Sequence, residues 1–599
     1  MRRYDVLICS GTACQSSNSA RLKEALVQAV AHHKPAAEIR FVETGCMGPC
    51  EQGPVLRIMP EDTLYVKVRP EDAQEIVREH LTNGRPVGRL LWDEKVPHPD
   101  GLPFFSRQRK NVLANCGLID PTRIEDYIDR RGYQALDRVL EEMTPREVIE
   151  EVKRSGLRGR GGAGFPTGEK WAFVRASEGN VKYVVCNADE GDPGAFMDRA
   201  VLEGDAHRVI EGMAIAARAV GAQRGYVYVR AEYPLAIARL KTALEQARDR
   251  GLLGTSILGS DFSFDVELRI GAGAFVCGEE TALIASIEGR RGEPRPRPPY
   301  PSQSGLWGRP TLINNVETYA NVGSIIQSGA DWFRSVGTKT SKGTKVFALA
   351  GHVCNTGLVE VPLGITLREL IFDIGGGVLG GGRLKAVQMG GPSGGCLPEE
   401  LLDVPIDYES LREHGAIMGS GGVIVLDQST CMVNVARYFL EFTAEESCGK
   451  CVSCRVGIPT MLDILTRITE GKGTAQDLPR LRELARLVKS TALCGLGQTA
   501  PNPVLSTLRY FEDEYRAHIE DGVCPVGVCE ALTQGYRIDP DACRACDQCR
   551  KACPTGAVQG TPGEPPYVID ASLCIRCGAC REVCPFDAVR TVSAKAREG

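Results

Sequence analysis

A chain of 599 residues is long enough to bury several separate cores, so several domains are expected. A formal net charge of −5 gives no basic footprint for nucleic acid, and no apolar run approaches the ~18 residues of a membrane span. The 24 cysteines gather in short runs, and the opening "MRRYDVLICSGTACQ" reaches cysteine too soon for a signal peptide, so a cytoplasmic, metal-binding chain is expected rather than a disulfide-bonded one.

At the N-terminus, "YDVLIC" reads as a strand, "SARLKEALVQAVAHH" as an amphipathic helix through Leu22, Leu26 and Ala29, and "EIRFVE" as a second strand. Cys9 and Cys14 flank the turn after the first strand, and Cys46 and Cys50 the turn after the second. Parallel neighbouring strands would therefore bring four thiolates to one edge, which suits a [2Fe–2S] cluster. A thioredoxin-type redox pair would need C-x-x-C, which neither pair has. With "VLRIM", "TLYVKV" and the closing helix "PEDAQEIVREHL", residues 1–88 resemble a thioredoxin-like [2Fe–2S] ferredoxin domain, and 89–135 read as a linker.

In "GLRGRGGAGFPTGEKW", Gly159, Gly161 and Gly164 have the G-x-G-x-x-G spacing of a dinucleotide loop. A Rossmann loop follows a strand and opens a helix, whereas here the helix-forming "TPREVIEEVKRSG" precedes the glycines, so the usual fingerprint is excluded. Further on, "YVVCNADE" reads as a buried strand that delivers Asn187, Asp189 and Glu190 at its C-terminal end, where open α/β sheets bind ligands. Glu279 and Glu280 start a helix in "GAGAFVCGEETALIASIEG", where simple capping explains them as well as function does. The run "GGGVLGGG" is a turn signal.

"ESCGKCVSCRVG" supplies Cys448, Cys451 and Cys454, and "STALCGLGQTAP" adds Cys494. Three local ligands and one distant ligand make a [4Fe–4S] set with zinc as the alternative, flanked by segments of helical period that predict a small bundle. Cys431, His518, Cys524 and Cys529 make one imidazole and three thiols, a set that suits tetrahedral zinc and is served equally by a satisfied histidine among inert thiols. At the C-terminus, Cys543, Cys546, Cys549 and Cys553 follow C-x2-C-x2-C-x3-C-P, and Cys574, Cys577, Cys580 and Cys584 repeat it. In this ferredoxin pattern the fourth cysteine of each run ligates the other cluster, whereas zinc ribbons rarely use such a run.

From Leu136 to Pro501 these motifs, with "SGLWGRPTLINNVET", resemble the flavoprotein subunit that oxidises NADH in respiratory complex I and in soluble NAD-linked hydrogenases and formate dehydrogenases. The resemblance implies that Gly159, Arg160, Gly161, Lys170, Asn187, Asp189, Glu190, Gly278, Asn314 and Asn315 contact FMN, with Gly164 part of the same loop. It implies that Phe165, Phe173, Glu279 and Glu280 help to hold the nicotinamide nucleotide, and that Glu190, Glu279 and Glu280 act at the reacting centre by positioning flavin and nucleotide. Asp192 and Phe275 stand where the respiratory enzymes have glutamate and usually tyrosine, both in the dinucleotide region. With the fused cluster domains, these departures point to the soluble, electron-bifurcating branch, resembling the beta subunits of bifurcating hydrogenases.

The implied fold is multidomain, α/β and α+β: a thioredoxin-like [2Fe–2S] domain (1–88), a modified α/β FMN- and NAD(P)H-binding domain (136–350), a ubiquitin-like β-grasp domain (351–427), a helical-bundle [4Fe–4S] domain (428–520), a hinge with the candidate zinc site (521–535) and a 2[4Fe–4S] ferredoxin domain (536–599). The expected cofactors are FMN, NAD(P)H, one [2Fe–2S] and three [4Fe–4S] clusters, and zinc. Expected partners are a hydrogenase-type or formate dehydrogenase-type catalytic subunit, a small [2Fe–2S] thioredoxin-like subunit and soluble ferredoxin, with neither nucleic acid nor membrane. The rival readings are a non-bifurcating diaphorase subunit and an electron relay without flavin.

Overall fold

The computed structural model describes residues 3–532 and 535–592; the outermost residues of the first and last predicted domains, and 533–534 of the predicted hinge, lie outside the described residues. The chain divides into two units, one of Met1–Asp427 with Glu446–Lys450 and Leu493–Leu496, the other of Gln428–Glu445, Cys451–Ala492 and Gly497–Gly599.

The first unit opens with β1 (Arg3–Cys9) and β2 (Glu38–Thr44), paired in parallel and joined by the helix Ser19–His33. Strands β3 (Leu56–Met59) and β4 (Thr63–Tyr65) complete a sheet of order β2-β1-β3-β4. Leu22, Leu26 and Ala29 recur at helical period and are buried against Val6 and Ile8 of β1. The predicted strand "TLYVKV" stops at Tyr65, because Lys67 takes a left-handed φ of 51° that no strand continues through.

Residues 89–135 are no linker. Leu102 joins the core of the first domain, Phe104 that of the third, and Val112, Leu113, Ile119, Ile124, Tyr127 and Tyr133 the core of the central domain. These residues follow no single period along the segment, because they serve three different cores. The buried Glu360 carboxylate pins the segment by accepting the N–H groups of Asn111, Val112 and Leu113 at 2.9, 3.0 and 2.9 Å.

In the central domain β5 (Tyr183–Ala188), β6 (Arg224–Arg230), β7 (Asp265–Gly271) and β8 (Thr311–Asn315) form an all-parallel sheet of order β7-β6-β5-β8. The helix before the glycine loop spans Pro145–Ser155, opened by a Thr144–Glu147 capping box and closed by Gly156 at φ 70°. The next helix, Thr167–Ala176, starts after the loop, so the glycines lie between two helices.

The following sheet contains β9 (Thr344–Gly351), β10 (Gly357–Pro362), β11 (Leu384–Met389), β12 (Gly395–Pro398) and β13 (Gly422–Asp427) in the order β10-β9-β13-β11-β12. Only β9 and β13 are parallel, which is the β-grasp arrangement. Its first strand begins at Thr344, so the expected boundary at 351 falls too late. An apolar strand directly after polar Thr338–Lys342 left no marker of which sheet it joins.

In the second unit the helices Met432–Glu445, Val452–Thr469, Asp477–Thr491 and Asn502–Tyr510 form the bundle. The C-terminal part pairs β14 (Gly535–Ile538) with β17 (Val589–Val592), and β15 (Val558–Thr561) with β16 (Glu564–Ile569), around the short helices Gln548–Ala552 and Ala579–Glu582. Among the described residues no helix is long and apolar enough to cross a membrane.

Candidate functional site

A cavity of about 1180 Å³ opens at the C-terminal ends of β5 and β8. Of the residues expected there, Gly159, Gly161, Gly164, Phe165, Lys170, Phe173, Asn187, Gly278, Glu279, Glu280, Asn314 and Asn315 all line it. Asn187 ends β5 and donates through Nδ2 to the Gly278 carbonyl at 2.9 Å, while the Trp171 indole N–H fixes Asn314 Oδ1 at 3.0 Å. Lys170 Nζ donates to Glu280 Oε1 at 2.5 Å and to the Ile313 carbonyl at 3.0 Å. Phe165 and Phe173, with ring centroids 6.4 Å apart and planes tilted by 47°, keep 46% and 53% of their surface exposed, leaving aromatic surface for a ligand at the cavity wall. Glu279 does cap the helix Glu280–Ile287, accepting from the N–H groups of Thr281 and Ala282 at 2.8 and 3.0 Å.

Arg160, Asp189, Glu190, Asp192 and Phe275 do not line the cavity. The Arg160 guanidinium is buried and donates to the carbonyls of Arg158, Lys342 and Thr344. Glu190 accepts the N–H groups of Asp198 and Arg199 at 3.1 Å each, capping the helix Met197–Gly204, and burial pushes its carboxyl up. Asp192 accepts from the Ser420 hydroxyl, and burial raises it to about 6. The Phe275 N–H donates to Glu446 at 2.8 Å. Asp189 lies beside Gly278, has an Oδ2 with no hydrogen-bond partner among the described residues, and is pushed by burial up to about 7 against the pull of Arg230. The sequence reading missed Arg297 and Tyr300, which line the cavity from the loop "RPRPPYP", and Gly495, next to Cys494. An exposed aromatic and a cation in a rigid proline-rich loop were the available signal.

Asp189 makes the first testable point. Its unfolded value lies near 3.8 and its folded value near 7, so the folded chain binds that proton more tightly. Stability from this group is present below the unfolded value, falls as pH rises, and is lost above about 7. Asp189→Asn is expected to flatten the decline in melting temperature of the flavin-free protein between about pH 4 and pH 7.

Cys448 and Cys494 belong to the same unit as the cavity. The Cys448 carbonyl accepts from Arg291 at 3.1 Å, and Lys450 donates to the Pro294 carbonyl at 2.9 Å. Cys451 precedes the helix Val452–Thr469 and Cys454 lies in its first turn.

Cys9, Cys14, Cys46 and Cys50 line a second cavity, walled by Phe196, Arg199 and Glu203 of the central domain. Cys14, together with burial, holds the Cys9 thiol far above its usual value, and Cys46 and burial do the same to Cys50. Four cysteines lining one cavity are the donor set of a [2Fe–2S] cluster, so the residues fit that group. Cys553 lines a third cavity with Cys574, Cys577 and Cys580. Burial raises Cys549 to about 11, with Cys546 and Cys584 close enough to add to the rise.

Cys431, His518, Cys524 and Cys529 are all buried, with their ligand atoms within 4.8 Å of one another. Cys431 Sγ lies 3.8 Å from Cys529 Sγ, and His518 Nε2 lies 3.4 Å from both sulfurs. A tetrahedral zinc site has edges of about 3.8 Å between sulfurs and about 3.5 Å between sulfur and nitrogen. His518 Nδ1 lies 2.7 Å from the Glu514 carbonyl, the outer contact that orients a ligating imidazole. Burial lowers the His518 imidazole, but hydrogen bonds with Cys431 and Cys524 raise it to about 10.

Comparison with known proteins agrees with this geometry. The Nuo51 FMN-binding domain pattern matches residues 152–324, the iron–sulfur binding region of NADH-ubiquinone oxidoreductase F matches 434–518, the thioredoxin-like [2Fe–2S] ferredoxin pattern matches 1–81, and 4Fe–4S binding domains match 536–559 and 567–590. The NADH-quinone oxidoreductase F 2 subunit of Rhizobium meliloti is 47% identical over 414 residues, which is 69% of this chain and 98% of that protein. The chain belongs to the complex I 51 kDa-type family of NADH-oxidising subunits. Another family member, NADP-reducing hydrogenase subunit HndC of Solidesulfovibrio fructosivorans, is 60% identical over 77% of this chain and 93% of its own length. A crystal structure of an NAD+-reducing [NiFe]-hydrogenase in the H2-reduced state matches with a TM-score of 0.61 and 32% identity, covering 86% of this chain and 84% of that one. As a 51 kDa-type subunit the chain is an oxidoreductase component with an FMN-binding domain, a [2Fe–2S] domain and [4Fe–4S] regions. The cavity fits a flavin, because it offers bare glycine backbone, side-chain amides and aromatic rings.

Proposed function

We propose that this chain oxidises NADH or NADPH in an electron-bifurcating, hydrogenase-type assembly in the cytoplasm, alongside a catalytic subunit, a small [2Fe–2S] subunit and soluble ferredoxin. The observation that carries the proposal is that Gly495, adjacent to Cys494, lines the same cavity as the glycine loop and Phe165. A candidate cluster ligand one residue from the wall of a nucleotide pocket suits conversion between two-electron and one-electron chemistry. Bound FMN supplies that conversion, exchanging two electrons with a nicotinamide and single electrons with iron–sulfur clusters.

The chain's own residues bind, orient and shield. The glycine loop brings backbone within reach of the flavin, and Asn187, Asn314 and Asn315 offer amide hydrogen bonds to its polar edge. Phe165 and Phe173 stack on the nucleotide and exclude water. Lys170, paired with Glu280, fixes charge beside them, and no side chain serves as a nucleophile. Cys448, Cys451, Cys454 and Cys494 would hold the first [4Fe–4S] acceptor, Cys9, Cys14, Cys46 and Cys50 the [2Fe–2S] cluster, and the eight C-terminal cysteines two further [4Fe–4S] clusters. Several clusters and one flavin in a single chain would let electrons leave by more than one route. The fused terminal cluster domains and the 60% identity to an NADP-reducing hydrogenase subunit support this reading.

Turnover of the assembled complex with and without ferredoxin tests it. Nucleotide and hydrogen chemistry that proceeds only when ferredoxin turns over in step is expected, whereas equal rates without ferredoxin would make the chain a non-bifurcating diaphorase subunit.

Zinc held by Cys431, His518, Cys524 and Cys529 is part of the same proposal, with a stapling role beside the ferredoxin domain. Metal analysis of anaerobically purified protein should find one zinc per chain. Cys529→Ser should lose it and lower the melting temperature, while a zinc-free wild type would leave a histidine among buried thiols.

A further inference from the structure

The β-grasp domain contributes no cluster cysteine, yet beyond the core it shares with the flavin domain through Val346, Ala348 and Leu358, it holds two loops of that domain through Tyr408 and through Gly419 and Ser420. Tyr408 opens the short helix Tyr408–Glu413, and its hydroxyl donates to the Gly159 carbonyl at 2.8 Å. Its ring also closes off Gly164, where a Cβ would stand 2.6 Å away, at a left-handed φ of 67°. Arg158 completes the grip, lying 4.2 Å from the Tyr408 ring centre, donating to the Gly164 carbonyl at 2.6 Å and pairing with Glu409 at 2.7 Å. Both ends of the arc Gly159–Gly164, which line the cavity, are thus fastened to one aromatic and guanidinium stack.

A second grip lies at Gly419 and Ser420. A Cβ at Gly162, φ 113°, would come within 2.9 Å of the Gly419 backbone, so the arc's middle touches the domain directly. Ser420 Oγ donates to the buried Asp192 carboxylate, in the loop after β5 that also carries Asp189 and Glu190.

We propose that the β-grasp domain is the positioning element of the flavin pocket, with Tyr408 and Ser420 holding the glycine loop and the post-β5 loop in binding geometry before flavin arrives. The inference rests on the flavin reading above. Neither residue lines the cavity, so Tyr408 acts through the Gly159 carbonyl and Ser420 through the Asp192 carboxylate, and losing a grip means the loop must be ordered by the flavin itself.

The test measures FMN dissociation constants by flavin fluorescence on the full chain, for wild type, Tyr408→Phe, Ser420→Ala and the control Asp403→Asn. Asp403 is an exposed residue of the same domain, paired with Arg368. Tyr408→Phe keeps the ring and removes only the hydroxyl, so it should fold. The expected result is flavin binding weakened ~3–10-fold in Tyr408→Phe and Ser420→Ala, the scale of one hydrogen bond, unchanged binding in the control, and flavin-free melting temperatures equal to wild type. Variants that bind flavin like wild type would overturn the proposal. So would weaker binding matched by a lower melting temperature, which would make the contacts merely structural. A wild type that binds no FMN would instead overturn the flavin reading, and the proposal with it.

Discussion

Gly161→Val is expected to lower NADH oxidation by on the order of 100-fold, the scale of a misplaced reacting partner, while cluster EPR signals persist. Gly161 keeps an ordinary φ, so valine imposes no backbone strain there. Its Cβ would stand 3.1 Å from Asn315 Cβ, a contact that small shifts can absorb, and the two added methyls then project into space the cofactor needs. NADH turnover with an artificial acceptor, together with the flavin content of the purified variant, checks this. Flavin retained at wild-type level would mean that the glycine loop does not face the cofactor.

The largest expected loss of stability comes from Lys345→Met. Lys345 and Glu317 form an ion pair with side-chain exposures of 0% and 1%. Lys345 Nζ also donates to the carbonyls of Ser420 and Val346 at 2.5 and 3.1 Å, and Glu317 Oε1 accepts the Val346 N–H at 2.9 Å. Burial, with Glu190 and Glu317 nearby, already raises the carboxyl of Asp198, so removing the Lys345 cation leaves several buried acids unbalanced. Breaking such a pair costs about 3–5 kcal/mol, or roughly 10 °C at ~2–4 °C per kcal/mol. Adding Glu317→Gln should recover much of the loss. Anaerobic thermal melts of the single and double variants measure both effects.

Much of this was legible in the sequence because ligand chemistry requires local spacing. Cys574, Cys577 and Cys580 line one cavity with Cys553, the grouping that the ferredoxin spacing predicts. The helix before Gly159 was legible from Val148, Ile149 and Val152 at helical spacing and from the closing Gly156, and the structure adds the Thr144–Glu147 capping box that opens it. What stayed hidden depended on where a side chain turns after folding. Arg160 and Glu190 lie within the motifs of the pocket, but their side chains satisfy backbone groups, which spacing cannot distinguish from ligand contact. Residues 89–135 resembled a linker because Leu102, Phe104 and Val112 serve different cores and share no period. Arg297 and Tyr300 were passed over because a proline-rich loop has no periodicity to betray which face it presents.

The central claim is that one cavity joins nucleotide, flavin and cluster, and an anaerobic titration of the FMN-reconstituted chain with NADH and, separately, NADPH tests it most directly. The account predicts that one nucleotide bleaches the flavin absorbance and then the iron–sulfur absorbance in the same titration. Bound flavin that neither nucleotide bleaches would contradict it, leaving an electron relay without a dehydrogenase site.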